Sequence, residues 1–411
     1  MGKALLVSSA PIATLASGEE CNLFGHSNDT TTEANTQANC TEDATFSNLA
    51  IAVRAGNSGT LTLRFRDAGA NGNQVVSFAS TGSGEDATNT DILSAGDLFN
   101  ISYADTGSNS TWNWIKANVN FATGHGNFHG AATFQGAVCD VGSSTRFQPL
   151  GGGVIADGSA SEDSVEWKVR GYDTFEAYQV RVTANARLNT STFVNRINGG
   201  DGTGSVPFAT LVTGLVSDTG LADAITDGQT VDVSMTLGAG VEDLTVVMIC
   251  GTLKSSSNKS ECWVSGDVAR TASAVATYSP IGGLWLNLGT LTEAQSRIKP
   301  GFAAVVSNLR CYLSGNTYAS DGTLKLFQNG SAVITLTLTA GGGAAWYENT
   351  SDTITIDADD ELSFEFDEGG ASGSITIHSA GITFAPIAPP AEGGGLPWLA
   401  AAAVNELVGV Y

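Results

Sequence analysis

The chain is poor in positive charge. Only 18 of its 411 residues are Lys or Arg, against 41 Asp and Glu, for a formal net charge of −23. Nucleic-acid binding rests on cations that neutralise phosphates, so this balance argues against a nucleic-acid partner. Long apolar runs are also missing. None reaches the ~18 residues of a membrane-spanning helix, so no span is expected. The start, Met1-Gly2-Lys3 then Ala4-Leu5-Leu6-Val7, has too short an apolar stretch for a signal peptide and reads as a first strand. Charged residues make up only 14% of the chain, unlike a helical enzyme. The sequence shows no phosphate-binding glycine loop, Gly-x-Ser-x-Gly elbow, His-Glu-x-x-His or EF-hand loop. Six cysteines, Cys21, Cys40, Cys139, Cys250, Cys262 and Cys311, lie at irregular spacings without a Cys-x-x-Cys. Sequence does not choose among their pairings. Free thiols are the simplest reading, and a Cys21–Cys40 bridge is the alternative.

What is abundant is small: 50 glycines, with much Ser, Thr and Ala. Short segments alternate apolar and polar residues, as in Leu61-Thr62-Leu63-Arg64-Phe65-Arg66 and Thr353-Ile354-Thr355-Ile356-Asp357. That is the period of a half-buried strand. Turn signals such as Asp67-Ala68-Gly69, Asn71-Gly72-Asn73, Asp321-Gly322 and Asn329-Gly330 separate them.

The chain also repeats itself. Thr60, Thr192 and Thr323 open similar strands, 132 and 131 residues apart. Other markers recur in the same order. They are a Pro-aliphatic step (Pro11-Ile12, Pro149-Leu150, Pro280-Ile281), an acidic element (Glu33, Glu162-Asp163, Glu293) and a late strand led by a Gly/Asp turn (Gly96-Asp97, Gly228-Gln229, Asp360-Glu361). The expected fold is all-β: three tandem antiparallel β-sandwich domains of jelly-roll type plus a short C-terminal tail. About eight strands in about 110 residues suit a jelly roll. An immunoglobulin-like sandwich is the competitor, disfavoured by the lack of a Cys…Trp…Cys pattern. The boundaries read as 1–122, 145–253 and 276–385, with small polar stretches at 123–144 and 254–275 that are linkers or loose extra strands. A Pro/Gly hinge and apolar tail follow at 386–411.

The third copy carries the clearest pattern: Thr292-Glu293-Ala294-Gln295, Ser307-Asn308-Leu309, Gly322-Thr323-Leu324, Gln328-Asn329-Gly330 and Ser374-Ile375-Thr376-Ile377. It resembles β-sandwich repeats of uncharacterised virion proteins of tailed bacteriophages. The resemblance implies a capsid decoration, head fibre or tail-associated protein and transfers no functional residues.

Few residues suggest chemistry. His125-x3-His129, with Cys139 beyond, has zinc-like spacing on a helix, but the surrounding glycines favour a surface loop. Acidic groups at Asp157, Glu162 and Asp163, and at Asp357, Asp359, Asp360 and Glu361, offer oxygen ligands to calcium without EF-hand spacing. Solvated turns are the simpler reading, and no other cofactor is expected. Trp112 and Trp114 alternate on one strand, so both should face one side, as a sugar platform or as core and interface aromatics. In the tail, Trp398, Leu399, Leu407 and Val408 form an apolar segment that would dock on a partner.

The sequence therefore predicts a non-enzymatic virion protein that associates with itself, as a trimer, and with a capsid or tail neighbour. The alternatives are an extracellular filament or adhesin subunit polymerising by strand or tail insertion, and an array of carbohydrate-binding modules.

Overall fold

The computed structural model describes residues 3–387, apart from 10–13, 16–17, 25–30, 56–58, 80, 108–109, 124, 141, 143, 241, 272–275, 285–290, 368 and 370–371. The tail residues Trp398, Leu399, Leu407 and Val408 lie outside the described residues.

Three antiparallel sandwiches follow one another. The first comprises β1 (Ala4–Ser9), β2 (Glu19–Cys21), β3 (Ala44–Ala55), β4 (Leu61–Asp67), β5 (Ala70–Phe78), β6 (Gly82–Leu93), β7 (Leu98–Asp105) and β8 (Ser110–Phe121). The second comprises β9 (His125–Cys139), β10 (Thr145–Gln148), β11 (Thr174–Asn185), β12 (Ser191–Ile197), β13 (Gly200–Phe208), β14 (Gly214–Ala224), β15 (Thr230–Thr236) and β16 (Leu244–Ser255). The third comprises β17 (Ser260–Thr271), β18 (Thr277–Ser279), β19 (Ala304–Asn316), β20 (Gly322–Gln328), β21 (Ser331–Leu338), β22 (Ala345–Ile356), β23 (Leu362–Asp367) and β24 (Ser374–Pro386).

Each domain has the same two sheets. The first runs β1-β8-β3-β6, then β9-β16-β11-β14 and β17-β24-β19-β22. The second runs β2-β7-β4-β5, then β10-β15-β12-β13 and β18-β23-β20-β21. Eight strands wound into two sheets in the order 1-8-3-6 and 2-7-4-5 are the jelly roll, so the topology itself decides against the immunoglobulin alternative.

Alternation explains the inner faces. The pattern buried, partly buried, buried repeats along β4, β12 and β20, putting Leu61, Leu63 and Phe65, then Phe193, then Leu324 and Leu326 into the three cores. The β4–β5 hairpin and its two counterparts turn on Ala68-Gly69, Asn198-Gly199 and Asn329-Gly330, all with positive φ. Such turns match the twist of the flanking strands, and they favour Asn-Gly because both residues are left-handed. Ala68 occupies the strained position without the side chain that suits it.

Of the two readings of the stretches between the copies, linkers or extra strands, the linker one fails. Residues 125–139 and 260–271 form β9 and β17, the opening strands of the second and third domains. The small composition of β9 hides the strand because residues 126–132 are buried under close neighbours. A Cβ on Gly126 would lie 2.4 Å from the Leu253 carbonyl, and one on Gly130 would lie 2.8 Å from the Phe24 ring. The proline marker also needs correcting in the first copy. Cys21 pairs with Ile101 as Gln148 pairs with Val233 and Ser279 with Phe364, so the counterpart of Pro149 and Pro280 is Asn22, not Pro11. Asn71-Gly72 lies within β5 rather than in a turn.

The domains are not beads on a string. The first strands β1, β9 and β17 come together, and the outer face of each first sheet packs on another domain. Leu5, Val7, Ala50, Ala52 and Trp114 of the first domain join the core of the third. Phe128, Val247, Met248 and Cys250 of the second join the core of the first. Trp263 of the third joins the core of the second. Three jelly rolls thus close a ring with threefold-like symmetry inside one chain.

Candidate functional site

The ring's seams hold several of the molecule's buried polar groups. Polar residues at corresponding outward positions of β11 and β19 reach a corresponding carbonyl on the next domain. Gln179 donates to the Asn39 carbonyl at 2.9 Å and accepts from the Asn39 N–H at 2.7 Å. Arg310 donates to the Lys168 carbonyl at 2.7 Å. Ala50 holds that place in β3 and packs instead. Beside Gln179, Arg181 donates twice to the Gln37 carbonyl, at 3.1 and 2.8 Å.

The seam between the second and third domains is the most polar. Glu261 on β17 is fully buried and accepts from Arg310 Nη2 at 2.6 Å, Trp263 Nε1 at 2.7 Å and the Arg170 N–H at 2.6 Å. Burial pushes its carboxyl up, and Arg310 pulls it back down. The Glu261 N–H donates to the Tyr172 hydroxyl at 2.7 Å, which sits 2.8 Å from His129 Nε2. His129 stacks on Trp263 with ring centroids 3.9 Å apart, and Trp263 stacks on Trp167 at 4.6 Å. Burial, with Arg310 nearby, lowers the His129 pKa to about 3, so the ring is neutral. Towards the rim, Lys168 and Arg170 both pair with Glu348. Glu261 is engaged by Arg310 and Trp263 within the third domain and by the Arg170 N–H across the seam, while His129 is engaged by Tyr172 within the second.

The seam between the first and third domains differs. It is mostly apolar, around Leu5, Val7 and Trp114, with Asn113 donating to the Gln295 carbonyl at 3.2 Å. Buried Lys116 pairs with Glu85 at 2.9 Å at its margin. Between the second and first domains, Phe128 enters a cluster of Phe46, Phe99 and Phe121, its ring 4.9 Å from Phe121 and 5.5 Å from Phe99.

These positions correct several sequence expectations. Trp112 and Trp114 do not share a face. The β8–β3 register shifts between them, Trp112 pairing with Val53 and Trp114 with Ala52. The bulge sends Trp112 into the first domain's core and Trp114 into the seam with the third. Both are buried, so they form no sugar platform.

The His125/His129 segment is a strand rather than a loop or helix. Four strand residues separate the two backbones by about 13 Å, too far for a shared zinc. Cys139 lies at the strand's far end. All six cysteines are free and buried, so Cys21 and Cys40 are not bridged.

The acidic groups are mostly occupied within turns and ion pairs. Asp157 accepts from the Asp140 N–H at 2.8 Å. Asp360 accepts from the Asp357 N–H and from Gln328 and Asn329, and Glu361 pairs with Arg297. Glu162 pairs with Arg196 through both oxygens. Sequence reasoning missed Glu261, Arg310, Tyr172 and the Trp167–Trp263 stack. The available signal was a charged residue at the outward positions of a central strand, where Arg310 alternates with buried Leu309 and Cys311.

No family model and no curated protein matches the sequence. Among solved structures, the chain is similar to the major capsid protein P2 of bacteriophage PM2 (8% identity, 64% of this chain and 99% of that one, TM-score 0.19). It is also similar to an insecticidal delta-endotoxin of Bacillus thuringiensis (9% identity, 61% of this chain and 60% of that one, TM-score 0.18). A third similarity is to an archaeal virus structure described by its triple jelly roll fold and turret assembly (13% identity, 93% and 89%, TM-score 0.18). Superpositions at these scores carry no weight for function. No helix among the described residues is long and apolar enough to cross a membrane.

Proposed function

We propose that the chain is a non-enzymatic structural subunit of a virion, a prefused three-lobed block that associates with copies of itself and with a capsid or tail neighbour. The observation that carries this reading is the ring: three jelly rolls, each using one sheet face to seal the next domain, with buried polar groups such as Glu261, Arg310 and Gln179 at the seams. A heterologous contact repeated three times and closed is the geometry of a cyclic trimer, here written into one polypeptide. Association of chains with one another, as a trimer, would be a second level of assembly built on this block. The resemblance of the third repeat to tailed-phage virion repeats supports the same role.

The test is negative-stain electron microscopy of the purified protein with its solution mass measured on the same sample. Discrete oligomers or closed shells are expected. Long filaments from the protein alone would favour the surface-filament reading, and a single-chain species at every concentration would contradict self-association.

A further inference from the structure

The three domains share one acidic corner, and the second builds it differently. In each, a glutamate on the short turn after the second strand meets an arginine. Glu33 pairs with Arg66, Glu162 with Arg196 and Glu293 with Arg297. Two further positions complete the corner. Residues 37, 166 and 297 correspond, because Ala38 pairs with Phe99 as Trp167 pairs with Val231 and Ile298 with Leu362. Residues 100, 232 and 363 correspond through their pairing with Arg66, Arg196 and Phe327.

The first domain fills these positions with two amides, Gln37 and Asn100. The third fills them with Arg297 and Ser363, whose hydroxyl donates to Glu293. The second fills them with two more carboxylates, Glu166 and Asp232.

The ligand oxygens of Glu162, Glu166 and Asp232 lie within 4.8 Å of one another. Asp232 is 1% exposed, and neither of its carboxylate oxygens has a hydrogen-bond partner. A buried carboxylate aimed at two others without a donor is costly unless a positive charge joins them. Arg196 is the cation that meets this corner, through Glu162, and it is shared with Asp201. Glu166 takes one hydrogen bond, from Thr230 Oγ1 at 2.7 Å.

We propose that Glu162, Glu166 and Asp232 bind a divalent cation of the calcium class through carboxylate oxygens, pinning the turn at residues 162–164 to β15. The site is separate from the seam chemistry above, and it holds whether or not the chain belongs to a virion. Its rival is a proton shared between Asp232 and Glu162.

The experiment uses the full chain stripped with chelator. Terbium luminescence excited through tryptophan is measured, since Trp167 adjoins Glu166 in sequence. Calcium titrations of the melting temperature accompany it. Saturable terbium emission that calcium competes away, and a calcium-dependent rise in melting temperature, are expected for the wild type. Both should fall at least about tenfold in apparent affinity in Asp232→Asn and in Glu166→Gln. These variants copy the amides that the first domain carries, so the fold accommodates them. Emission and melting that do not change between wild type and Asp232→Asn would overturn the proposal. So would a wild type indifferent to calcium whose Asp232→Asn variant is more stable at neutral pH, which would assign the corner to a shared proton.

Discussion

The ring is closed by seams built on opposite chemistry. Between the first and third domains, Leu5, Val7, Ala52 and Trp114 meet an apolar core. Between the second and third, a buried Glu261–Arg310 pair sits beside a His129–Trp263–Trp167 stack. Apolar burial is non-directional and roughly proportional to area, so the first seam tolerates small shifts. A buried ion pair stabilises little on its own account but penalises every arrangement that leaves one partner alone. The difference assigns the seams separate roles: the apolar one supplies cohesion, and the polar one fixes register.

Arg310→Ala is expected to destabilise the chain most, by about 3–5 kcal/mol, because it strands Glu261 without a cation. Urea denaturation measures this, and a loss under about 1 kcal/mol would show that the pair is not sealed. Trp114→Ala should cost about 3 kcal/mol by opening a cavity in the apolar seam. Its loss should be independent of pH, unlike that of the polar seam.

The pH dependence sharpens the contrast. The His129 pKa is depressed to about 3 when folded, so the unfolded chain binds a proton first as pH falls. Stability is therefore full above the unfolded value of about 6.5 and declines towards pH 3, by up to about 1.4 kcal/mol per pH unit. His129→Gln should flatten that segment of the stability profile, read from melting temperatures across pH. The smallest effect is a gain. Ala68→Asn gives the first hairpin the turn residue of its two counterparts and should add about 0.5–1 kcal/mol.

Much of the fold is legible in the sequence because it rests on local rules. Alternation in Leu61–Arg66 and the Asn329-Gly330 turn mark strands and hairpins without tertiary help, and the internal repeat reveals the domain pattern. What escapes is set by packing between distant segments. The strand at 125–139 reads as a linker or loose extra strand because Gly126, Gly130 and Ala131 are small for the sake of close approach, not for flexibility. Trp112 and Trp114 read as one face because a bulge is invisible to simple alternation. Of the acidic corner, the Asp157–Asp163 cluster delivers only Glu162. Glu166 lies three residues past it, and Asp232 arrives from a strand about 70 residues later. The Glu261–Arg310 pair spans 49 residues and joins two strands of the third domain only to seal the second.

The central claim is that one chain closes a ring of three jelly rolls. Small-angle X-ray scattering of the purified protein, under conditions where the measured mass is that of one chain, tests it most directly. A profile fitted by a compact particle with three lobes about an axis is predicted. A profile of an extended string of three separated lobes, with its correspondingly larger radius of gyration, would contradict it.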